Sequence, residues 1–393
     1  MGQPVKNIIL SNHENVIKED TVKTLLVDGN SLLFMAFKDE KINNDGEHYG
    51  AIYQFLLQLK IMMQKTDYDF VYVFFDNEYS GYLRWEIYPH YKQNRDKNYA
   101  EYGLSEYAKS VNQKVKKMQE YYFKKWEKKA KSEWDLFIDK NFIRERDILC
   151  SFFNELYIRW YIDEITEGDD LIAYYCKNKK DNEYITIMSG DMDITQLVDD
   201  KISVYNLHDK KLVTKNNFKE LFGYHHANVV VKKIMCGDAS DNIGHIKLLS
   251  ETAFENLMPE YKDKPISVED VINKAKGLIE ERKSNKKKPL QLHTNIVDGV
   301  SNKKYDGDYY EINERLINLK KPLLSEEAVN EMDTMMYAPQ DPSERSFGNL
   351  FNLVMEQGIV EWNNDTKFSS FFSTFKKLEE KEKKFYNNSL NCD

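Results

Sequence analysis

Carboxylates follow three apolar segments of this sequence, at the point where each segment ends. Asp28 follows Leu-Leu-Val, Asp76 follows Val-Phe-Phe, and Asp191 and Asp193 follow Ile-Met-Ser-Gly. Further acids lie in EGDD and GDASDN, where helices are predicted to begin. The full set contains nine candidate metal ligands: Asp28, Asp76, Glu167, Asp169, Asp170, Asp191, Asp193, Asp238 and Asp241.

Such a set favours the chemistry of divalent cations. Many carboxylates cannot share a pocket as bare anions, because like charges within hydrogen-bonding range disfavour joint ionisation. Either several of them are protonated or cations lie among them. An all-oxygen site suits Mg²⁺ or Mn²⁺ and argues against zinc. Two such ions about 4 Å apart can stabilise both the attacking and the leaving oxygen of a phosphodiester displacement.

Each acidic motif alone also has an ordinary structural explanation. Asp169 and Asp170 could be acids favoured by the dipole at the start of a helix. Asp238 and Asp241 could form a capping turn, and the segments DGN and FDN could be turns after strands. The joint placement of all five motifs at one edge of a sheet favours a ligand set instead.

Basic residues follow the second acidic motif. Arg84, Lys92 and Arg95 lie in the segment RWEIYPHYKQNR. Beside metal ions, these cations could hold a scissile phosphate and offset the charge that develops in the transition state. For Arg84, a surface helix with scattered cations is the competing interpretation.

The elements that must position these residues alternate between strand and helix. Short apolar runs predict four buried strands, at 24–30, 70–77, 184–191 and 202–207. Amphipathic helices are predicted at 50–65 and 168–180. This alternation predicts an α/β fold with a mainly parallel central sheet and flanking helices. Because parallel strands end at one edge of the sheet, the distant acids should converge there.

A basic and aromatic insertion interrupts the alternation. Residues 92–146 contain 15 Lys or Arg and nine Asp or Glu, although the whole chain carries a net charge of −9. Cations interleaved with rings are typical of single-strand binding, but a solvated helical hairpin could have the same composition. The candidate nucleic-acid contacts are Lys116, Lys117, Lys124, Lys125, Lys128, Lys129, Tyr121, Tyr122 and Trp126.

Composition narrows the class of protein further. The four cysteines are far apart with no CxxC, which favours reduced thiols over a disulfide framework or a zinc site. The sequence has no apolar run long enough to span a membrane and no recognisable secretory signal at its start. A soluble, cytoplasmic monomer without a membrane partner is therefore expected.

Five ordered motifs resemble those of the flap endonuclease and 5′→3′ exonuclease family: VDGNSLLFMAF, FDNEYSGYLRWEIYPHYKQNR, EGDDLIA, SGDMDITQLV and GDASDNI. The resemblance covers about 22–95 and 147–245, and it implies a PIN-like 5′ nuclease core. It also implies that the nine acids coordinate two divalent metals, Mg²⁺ with Mn²⁺ able to substitute. Lys92 and Arg95 would contact the scissile phosphate, and a helical arch at about 96–146 would cover 5′ single strands.

The sequence departs from the family pattern after GDASDNI. Family members follow this motif with a Gly-rich helix-hairpin-helix turn that grips duplex backbone around a potassium ion. Leu248 and Ser250 stand where glycines are expected, which puts the grip and K⁺ in doubt, because glycine allows close approach of backbone N–H groups to a phosphate. The phage replication branch shows the same loss, and 313–332 resembles the C-terminal region of T-even phage ribonuclease H.

The predicted organisation has two domains. Residues 1–235 form the α/β core with the arch, and 236–393 form a helical domain with a degenerate helix-hairpin-helix region and a flexible loop at about 284–310. The basic segment 281–289 could replace some of the lost duplex contact or be a solvated loop. Four phenylalanines at helical spacing predict a core-facing stripe or a peptide that docks on a sliding clamp: Phe368, Phe371, Phe372 and Phe375.

Together these features predict a metal-dependent 5′→3′ exonuclease and flap endonuclease. Its substrates would be 5′ ends of RNA–DNA hybrids and flapped or nicked DNA, and its role RNA-primer removal in phage DNA replication. A sliding clamp and a single-strand-binding protein are candidate partners. The alternatives are a PIN-type ribonuclease that cuts single-stranded RNA and a non-catalytic factor that binds branched DNA. One metal is expected near Asp28, Asp76, Glu167, Asp169 and Asp170, and the other near Asp191, Asp193, Asp238 and Asp241.

Overall fold

A six-stranded sheet forms the centre of the computed structural model, which describes residues 21–93 and 133–390. The strand order is β3-β2-β1-β4-β5-β6, and every neighbouring pair is parallel except β5 with β6. The strands are β1 (Val22–Asp28), β2 (Phe70–Phe75), β3 (Arg159–Ile162), β4 (Glu183–Ser189), β5 (Ile202–Asn206) and β6 (Lys211–Val213). The all-apolar β2 is buried at every position, as expected for a parallel strand covered on both faces.

Helices cover both faces of the sheet and continue beyond it. Their bounds are α1 (Gly29–Ala36), α2 (Gly50–Lys65), α3 (Tyr82–Ile87), α4 (Glu133–Glu155), α5 (Gly168–Lys177), α6 (Lys215–Phe222), α7 (Val229–Cys236), α8 (Glu251–Leu257), α9 (Val268–Ser284), α10 (Gln291–Val297), α11 (Tyr309–Ile317), α12 (Glu326–Met335), α13 (Phe347–Glu356), α14 (Asp365–Phe372) and α15 (Lys376–Leu390). In the described ranges, no helix combines the length and the apolar character that crossing a membrane requires.

Successive side chains of β1 supply two separate cores. Leu25 and Val27 pack with α1, α2 and α4, whereas Leu26 packs with α5 and α12 on the other face. A third cluster joins α7, α9 and α10 into a helical unit beyond the sheet. The last helices, α13 to α15, return to the first core instead of extending this unit. The fold therefore fixes α7, and the loop that follows it, between the sheet and the third cluster.

The predicted α/β class and parallel sheet are confirmed, and α2 has the predicted bounds. The flexible loop expected at 284–310 is wrong, because that segment contains α10, whose Ile296 is fully buried in the third cluster. The sequence interpretation also missed β3, a strand of only four residues with one buried position. The boundary between domains at 235 and 236 stays a prediction.

The stripe of phenylalanines in the C-terminal helices is part of the first core. Phe368, Phe371, Phe372 and Phe375 are all buried, and their rings pack on one another and, in part, on Trp362. The core-facing interpretation is therefore confirmed. The same burial argues against the clamp-docking alternative, because a docking peptide must present these rings to a partner.

A buried ion pair fastens α15 to the edge of the sheet. Glu382 accepts hydrogen bonds from Arg159 Nη2 at 3.0 Å and from the Gln340 amide at 2.9 Å. Both charged side chains are 3% exposed. Because Arg159 also donates to the Ala338 carbonyl, the pair joins three segments that are far apart in the chain.

Replacement of Glu382 by alanine should destabilise the protein strongly. The change leaves the Arg159 guanidinium buried without its carboxylate, which typically costs about 3–5 kcal/mol of unfolding free energy. Chemical denaturation of E382A measures this loss. The matched control is E380A, an exposed glutamate of the same helix, for which a change below about 0.5 kcal/mol is expected. Equal stabilities of the two variants would contradict the proposed importance of the pair.

Candidate metal centre and nucleic-acid interface

The carboxyl edge of the sheet positions the first group of acids. Asp28 ends β1 and caps α1, where its side chain accepts from the Ser31 amide at 2.9 Å and from the Ser189 hydroxyl at 2.7 Å. Asp76 follows β2 directly and accepts from the Gly168 amide at 2.6 Å. Strand ends and the start of α5 therefore meet at one place, as the sequence predicts.

Asp169 and Asp191 belong to the same group. Burial, followed by the charges of Asp28, Asp191 and Asp76, raises the pKa of Asp169 well above its ordinary value. Burial likewise raises the pKa of Asp28 to about 7, and the charges of Asp76 and Asp191 add to this effect. We call Asp28, Asp76, Asp169 and Asp191 the edge cluster. Burial, reinforced by the charges of neighbouring carboxylates, therefore favours the protonated forms of Asp28 and Asp169 when no cation is bound.

A second group forms around the turn after α7. Asp193, Asp238 and Asp241 each direct one oxygen to a common point, with these oxygens within 4.8 Å of one another. Gly237 makes this turn possible, since its φ is +73° and a Cβ there would lie 2.8 Å from the Gly244 backbone. We call Asp193, Asp238 and Asp241 the loop cluster. Of the described residues, these three form the group whose geometry fits a single cation.

Lys233 is a site residue that the sequence interpretation missed. It lies on α7, and its ammonium contacts Asp193 and lies 2.6 Å from Asp238. Burial opposes ionisation of Asp238, but the Lys233 charge and hydrogen bond lower the pKa of Asp238 to about 2. Burial and the charge of Asp191 raise the pKa of Asp193 to about 7. One signal in the sequence could have identified Lys233: it precedes the Gly237-Asp238 motif by just over one helical turn.

Glu167 and Lys92 connect the start of α5 to the loop cluster. Lys92 Nζ donates to Glu167 Oε1 at 2.7 Å, and the Lys92 amide donates to the Asp241 carbonyl at 2.8 Å. The Tyr91 hydroxyl lies 3.1 Å from carboxylate oxygens of both Glu167 and Asp241. Tyr91 was not predicted from the sequence. This arrangement places the Lys92 ammonium among the acids, where a phosphate-binding cation was expected.

Asp170 and Arg84 lie differently from the expectation. Arg84 is 4% exposed and donates to Asp170 through Nη1 and Nη2, while its Nε donates to the Leu316 carbonyl. Asp170 is fully buried and also accepts from the Leu323 amide. Consecutive helix residues point about 100° apart, so Asp169 and Asp170 cannot both face the edge cluster. The geometry corrects both assignments: these two residues form a buried ion pair and offer little to a metal or a phosphate.

The remaining predicted residues fall outside the described ranges. They are Arg95 and the arch residues Lys116, Lys117, Lys124, Lys125, Lys128, Lys129, Tyr121, Tyr122 and Trp126. The described helix α4 leads from this region into the core, where Leu149, Phe152 and Phe153 are buried.

The donor chemistry of both clusters suits divalent cations, and the loop cluster also has the spacing for one. Their ligands are carboxylates without histidine or thiolate, the donor set that suits Mg²⁺ or Mn²⁺. Burial, with a smaller contribution from neighbouring carboxylates, raises the pKa values of Asp28, Asp169 and Asp193. The charge of Asp191 raises the pKa of Asp169 in the edge cluster and that of Asp193 in the loop cluster, so Asp191 interacts with both clusters. The predicted division of ligands between two metals stays a prediction.

The turn before α8 retains one feature of the glycine-rich pattern. Leu248 has a φ of +72° and is 59% exposed, so it adopts the left-handed conformation that glycine favours. Ser250 has an ordinary φ of −82° and caps α8 by accepting from the Ala253 amide. Of the two positions where glycine was expected, only position 248 therefore has a backbone conformation that favours glycine.

Replacing Leu248 by glycine should stabilise the protein. A non-glycine residue in the left-handed region costs about 1–2 kcal/mol, and glycine removes this cost. Part of the gain is offset, because glycine has greater conformational freedom in the unfolded chain. We expect L248G to gain about 0.5–1 kcal/mol in chemical denaturation. The matched variant S250G removes a helix cap and should lose a few tenths of a kcal/mol. A destabilised L248G would show that the exposed leucine makes contacts that outweigh the strain.

The fold and the site together define a class: an α/β protein with a mainly parallel sheet, a carboxylate-lined edge and a set of further helices. The chain matches the family described as 5′-3′ exonuclease, N-terminal resolvase-like domain, over residues 23–223. This match covers more than half of the chain, which therefore belongs to the 5′-3′ exonuclease family. The resemblance inferred from the five motifs is confirmed.

The matches to curated relatives cover only part of each relative. DNA polymerase I of Bacillus subtilis is 27% identical over 301 residues, which cover 72% of this chain and 30% of the relative. A 5′-3′ exonuclease of Mycoplasmopsis pulmonis is 36% identical over 99 residues, or 24% of this chain and 33% of the relative. The chain thus spans about a third of the length of these relatives.

Two solved structures of bacteriophage T5 proteins have a similar fold. Zinc-bound T5 5′-exonuclease aligns with a TM-score of 0.50 at 17% identity, over 85% of this chain and 98% of that one. A variant of the T5 D15 flap endonuclease, solved with DNA and metal ions, aligns with a TM-score of 0.50 at 16% identity, over 92% and 99% of the two chains. At these identities the likeness shows the fold alone.

Proposed function

We propose that this protein is a metal-dependent 5′ nuclease that hydrolyses phosphodiester bonds at 5′ ends of flapped or nicked DNA and of RNA–DNA hybrids. The observation that carries the proposal is the convergence of the edge cluster and the loop cluster at the carboxyl edge of one parallel sheet. A protein relieved of catalysis has no physical need for so costly a concentration of closely placed carboxylates. Family membership supports the same reaction class.

The proposed cofactors are two Mg²⁺ ions, for which Mn²⁺ could substitute. The ligands would come from the edge cluster, from the loop cluster and from Glu167. When bound, such ions supply Lewis acidity and charge neutralisation at the phosphodiester. Lys92 would hold the scissile phosphate, because its ammonium donates to Glu167 and its charge acts on Asp169 of the edge cluster. Arg84 and Asp170 would act only by fixing α3 against α5 and the chain around Leu323.

Residues outside the described ranges would complete the site. Arg95 would share the phosphate with Lys92, and the basic arch at about 96–146 would bind the 5′ single strand through its lysines and aromatic rings. The resemblance of 313–332 to T-even phage ribonuclease H favours RNA primers of lagging-strand fragments as the biological substrate, during phage DNA replication. A single-strand-binding protein is a proposed partner in that setting.

Cleavage of two 5′-labelled substrates tests the proposal. One is an RNA–DNA hybrid and the other a DNA duplex with a 5′ flap, each incubated with Mg²⁺ or with EDTA. Short 5′ products that disappear in EDTA are expected, and the faster substrate assigns primer or flap processing. Preferential cleavage of free single-stranded RNA would instead favour a PIN-type ribonuclease. Tight binding of the flap without any product would favour a non-catalytic factor for branched DNA.

The stability of the metal-free protein should fall as the pH rises from about 4 to about 7. Asp28 and Asp193 have pKa values of about 7 when folded, but about 3.9 when unfolded. Between these values the folded state binds more protons, so unfolding becomes more favourable as the pH increases. Melting in EDTA should therefore give a lower Tm at pH 8 than at pH 5. Millimolar Mg²⁺ should raise the Tm at pH 8, since a bound cation stabilises the folded state.

The variant D181N provides the control for this melting experiment. Asp181 is an exposed acid before β4, at the opposite edge of the sheet, and its replacement should leave both trends unchanged. By contrast, the double variant D28N/D193N should show a weaker pH dependence, with the remainder coming from Asp169, whose pKa is also raised. A metal-free protein whose Tm is the same at pH 5 and pH 8 would contradict the clustering of charged carboxylates.

A further inference from the structure

The hairpin of α9 and α10 ends in a strongly basic tip. Residues 282–288 contain five cations and no acid, in a chain with a net charge of −9. Lys286, Lys287 and Lys288 are exposed. In the part of the chain that the structure describes, none of the five cations forms a salt bridge with a carboxylate. The tip therefore presents uncompensated positive charge to the solvent.

Hydrogen bonds hold this tip in a defined turn. The Lys287 amide donates to the Arg282 carbonyl at 2.8 Å, and Arg282 Nε donates to the Lys288 carbonyl at 2.9 Å. Lys286 has a φ of +54°, which reverses the chain after the cap of α9. The guanidinium thus closes the loop, while the three lysines that follow remain directed outward. Such a turn arranges its charges before any partner binds.

The same hairpin is anchored to the helix that leads to the loop cluster. Val271 and Ala275 of α9 and Ile296 of α10 pack in one core with Met235 of α7. The last residue of α9 that packs on this core is Leu278, so the six residues that follow carry the tip roughly 9 Å further. The tip therefore belongs to the same packed unit as α7, the helix that leads to the loop cluster, and extends beyond the core of that unit.

We propose that the α9–α10 tip binds the sugar-phosphate backbone of the duplex arm of the substrate, away from the scissile bond. The inference rests on the proposed nuclease function. Phosphate backbones require only well-placed cations, whereas a protein interface requires apolar or aromatic anchors, of which this tip exposes Leu290 alone. Lysine rather than arginine at three successive positions also suits a point-charge contact without base recognition.

Equilibrium binding in EDTA tests the proposal without cleavage. The triple variant K286Q/K287Q/K288Q is compared with wild type on flapped DNA whose duplex arm has about 24 base pairs, about 80 Å long. We expect about a tenfold weaker Kd at moderate salt, and a salt dependence shallower by roughly 0.9 in slope for each lysine that contacts a phosphate. On an arm of about 10 base pairs, which is about 34 Å long, the difference should shrink.

Two matched variants make the result specific. K376Q/K377Q/K384Q removes the same charge from exposed positions of α15 and should bind as wild type does, whereas K286R/K287R/K288R should retain wild-type affinity. Unchanged affinity and salt slope in the glutamine variant of the tip would overturn the proposal. That result is also the one expected if the tip contacts an acidic protein instead of DNA.

Cleavage separates this inference from the proposed function. The glutamine variant of the tip should still cut the short-arm substrate with Mg²⁺ at about the wild-type rate at saturation, because the tip does not touch the reacting phosphate. If wild type cleaves neither arm length while the tip variant binds more weakly, the proposed nuclease function fails and the duplex-binding inference holds.

Discussion

Replacing Asp191 by asparagine should abolish cleavage while preserving or improving substrate binding. Asp191 lies electrostatically between the two clusters, since its charge acts on Asp28 and Asp169 of one and on Asp193 of the other. Loss of a carboxylate ligand at this position weakens the hold on the catalytic cations that the mechanism requires. We expect cleavage at least about 10³-fold slower, which corresponds to about 4 kcal/mol of transition-state stabilisation.

Binding should change in the opposite direction because the proposed substrate is a polyanion. The substitution removes one negative charge that faces the phosphate, and asparagine can still accept the hydrogen bond that the Asp193 amide donates to Asp191 Oδ1 at 2.8 Å. The measurements are single-turnover cleavage with Mg²⁺ and titration of labelled flap DNA at fixed salt. D181N, at the opposite edge of the sheet, should retain both activities. Weaker binding by D191N than by D181N would contradict the placement of Asp191 beside the substrate phosphate.

Replacing Lys92 by methionine should lower kcat with little change in Kd. The methionine retains most of the aliphatic stem but lacks the ammonium, which donates to Glu167 and lies 4.9 Å from the centre of the Tyr91 ring. A preorganised cation at the transferring phosphate typically contributes about 10²- to 10³-fold in rate. The fold should tolerate the change, because Glu167 keeps Arg84, at 3.0 Å, as a second partner.

Single-turnover rates, affinity and Tm together decide the role of Lys92. K38A, which changes an exposed lysine just after α1, should match wild type in all three. If K92M lost Tm in parallel with activity, Lys92 would be a structural partner of Glu167 and not a contact for the phosphate. The variant K92R, which keeps the charge, should recover part of the rate and helps to distinguish these two roles.

Much of the fold followed from local patterns. Continuous apolar runs bounded by acids predicted β1, β2, β4 and β5, because buried parallel strands need apolar side chains on both faces. The short β3 escaped prediction, since it begins with a charged residue, Arg159, whose burial depends on partners such as Glu382, more than 200 residues away in the chain. The segment 284–310 was mistaken for a flexible loop for the same reason. Its polar composition hides α10, which is held by Ile296 in a core formed by distant helices.

For the site, the sequence by itself determined which acids converge. The acids that end or closely follow β1, β2 and β4 must meet at one edge once those strands are parallel, and the order of the five motifs then identified the family. Only the tertiary structure decided the partners of each charge. Arg84 turned inward to Asp170, and Lys233 entered the loop cluster, because the directions of side chains and the packing of α7 depend on contacts between segments that no local pattern encodes.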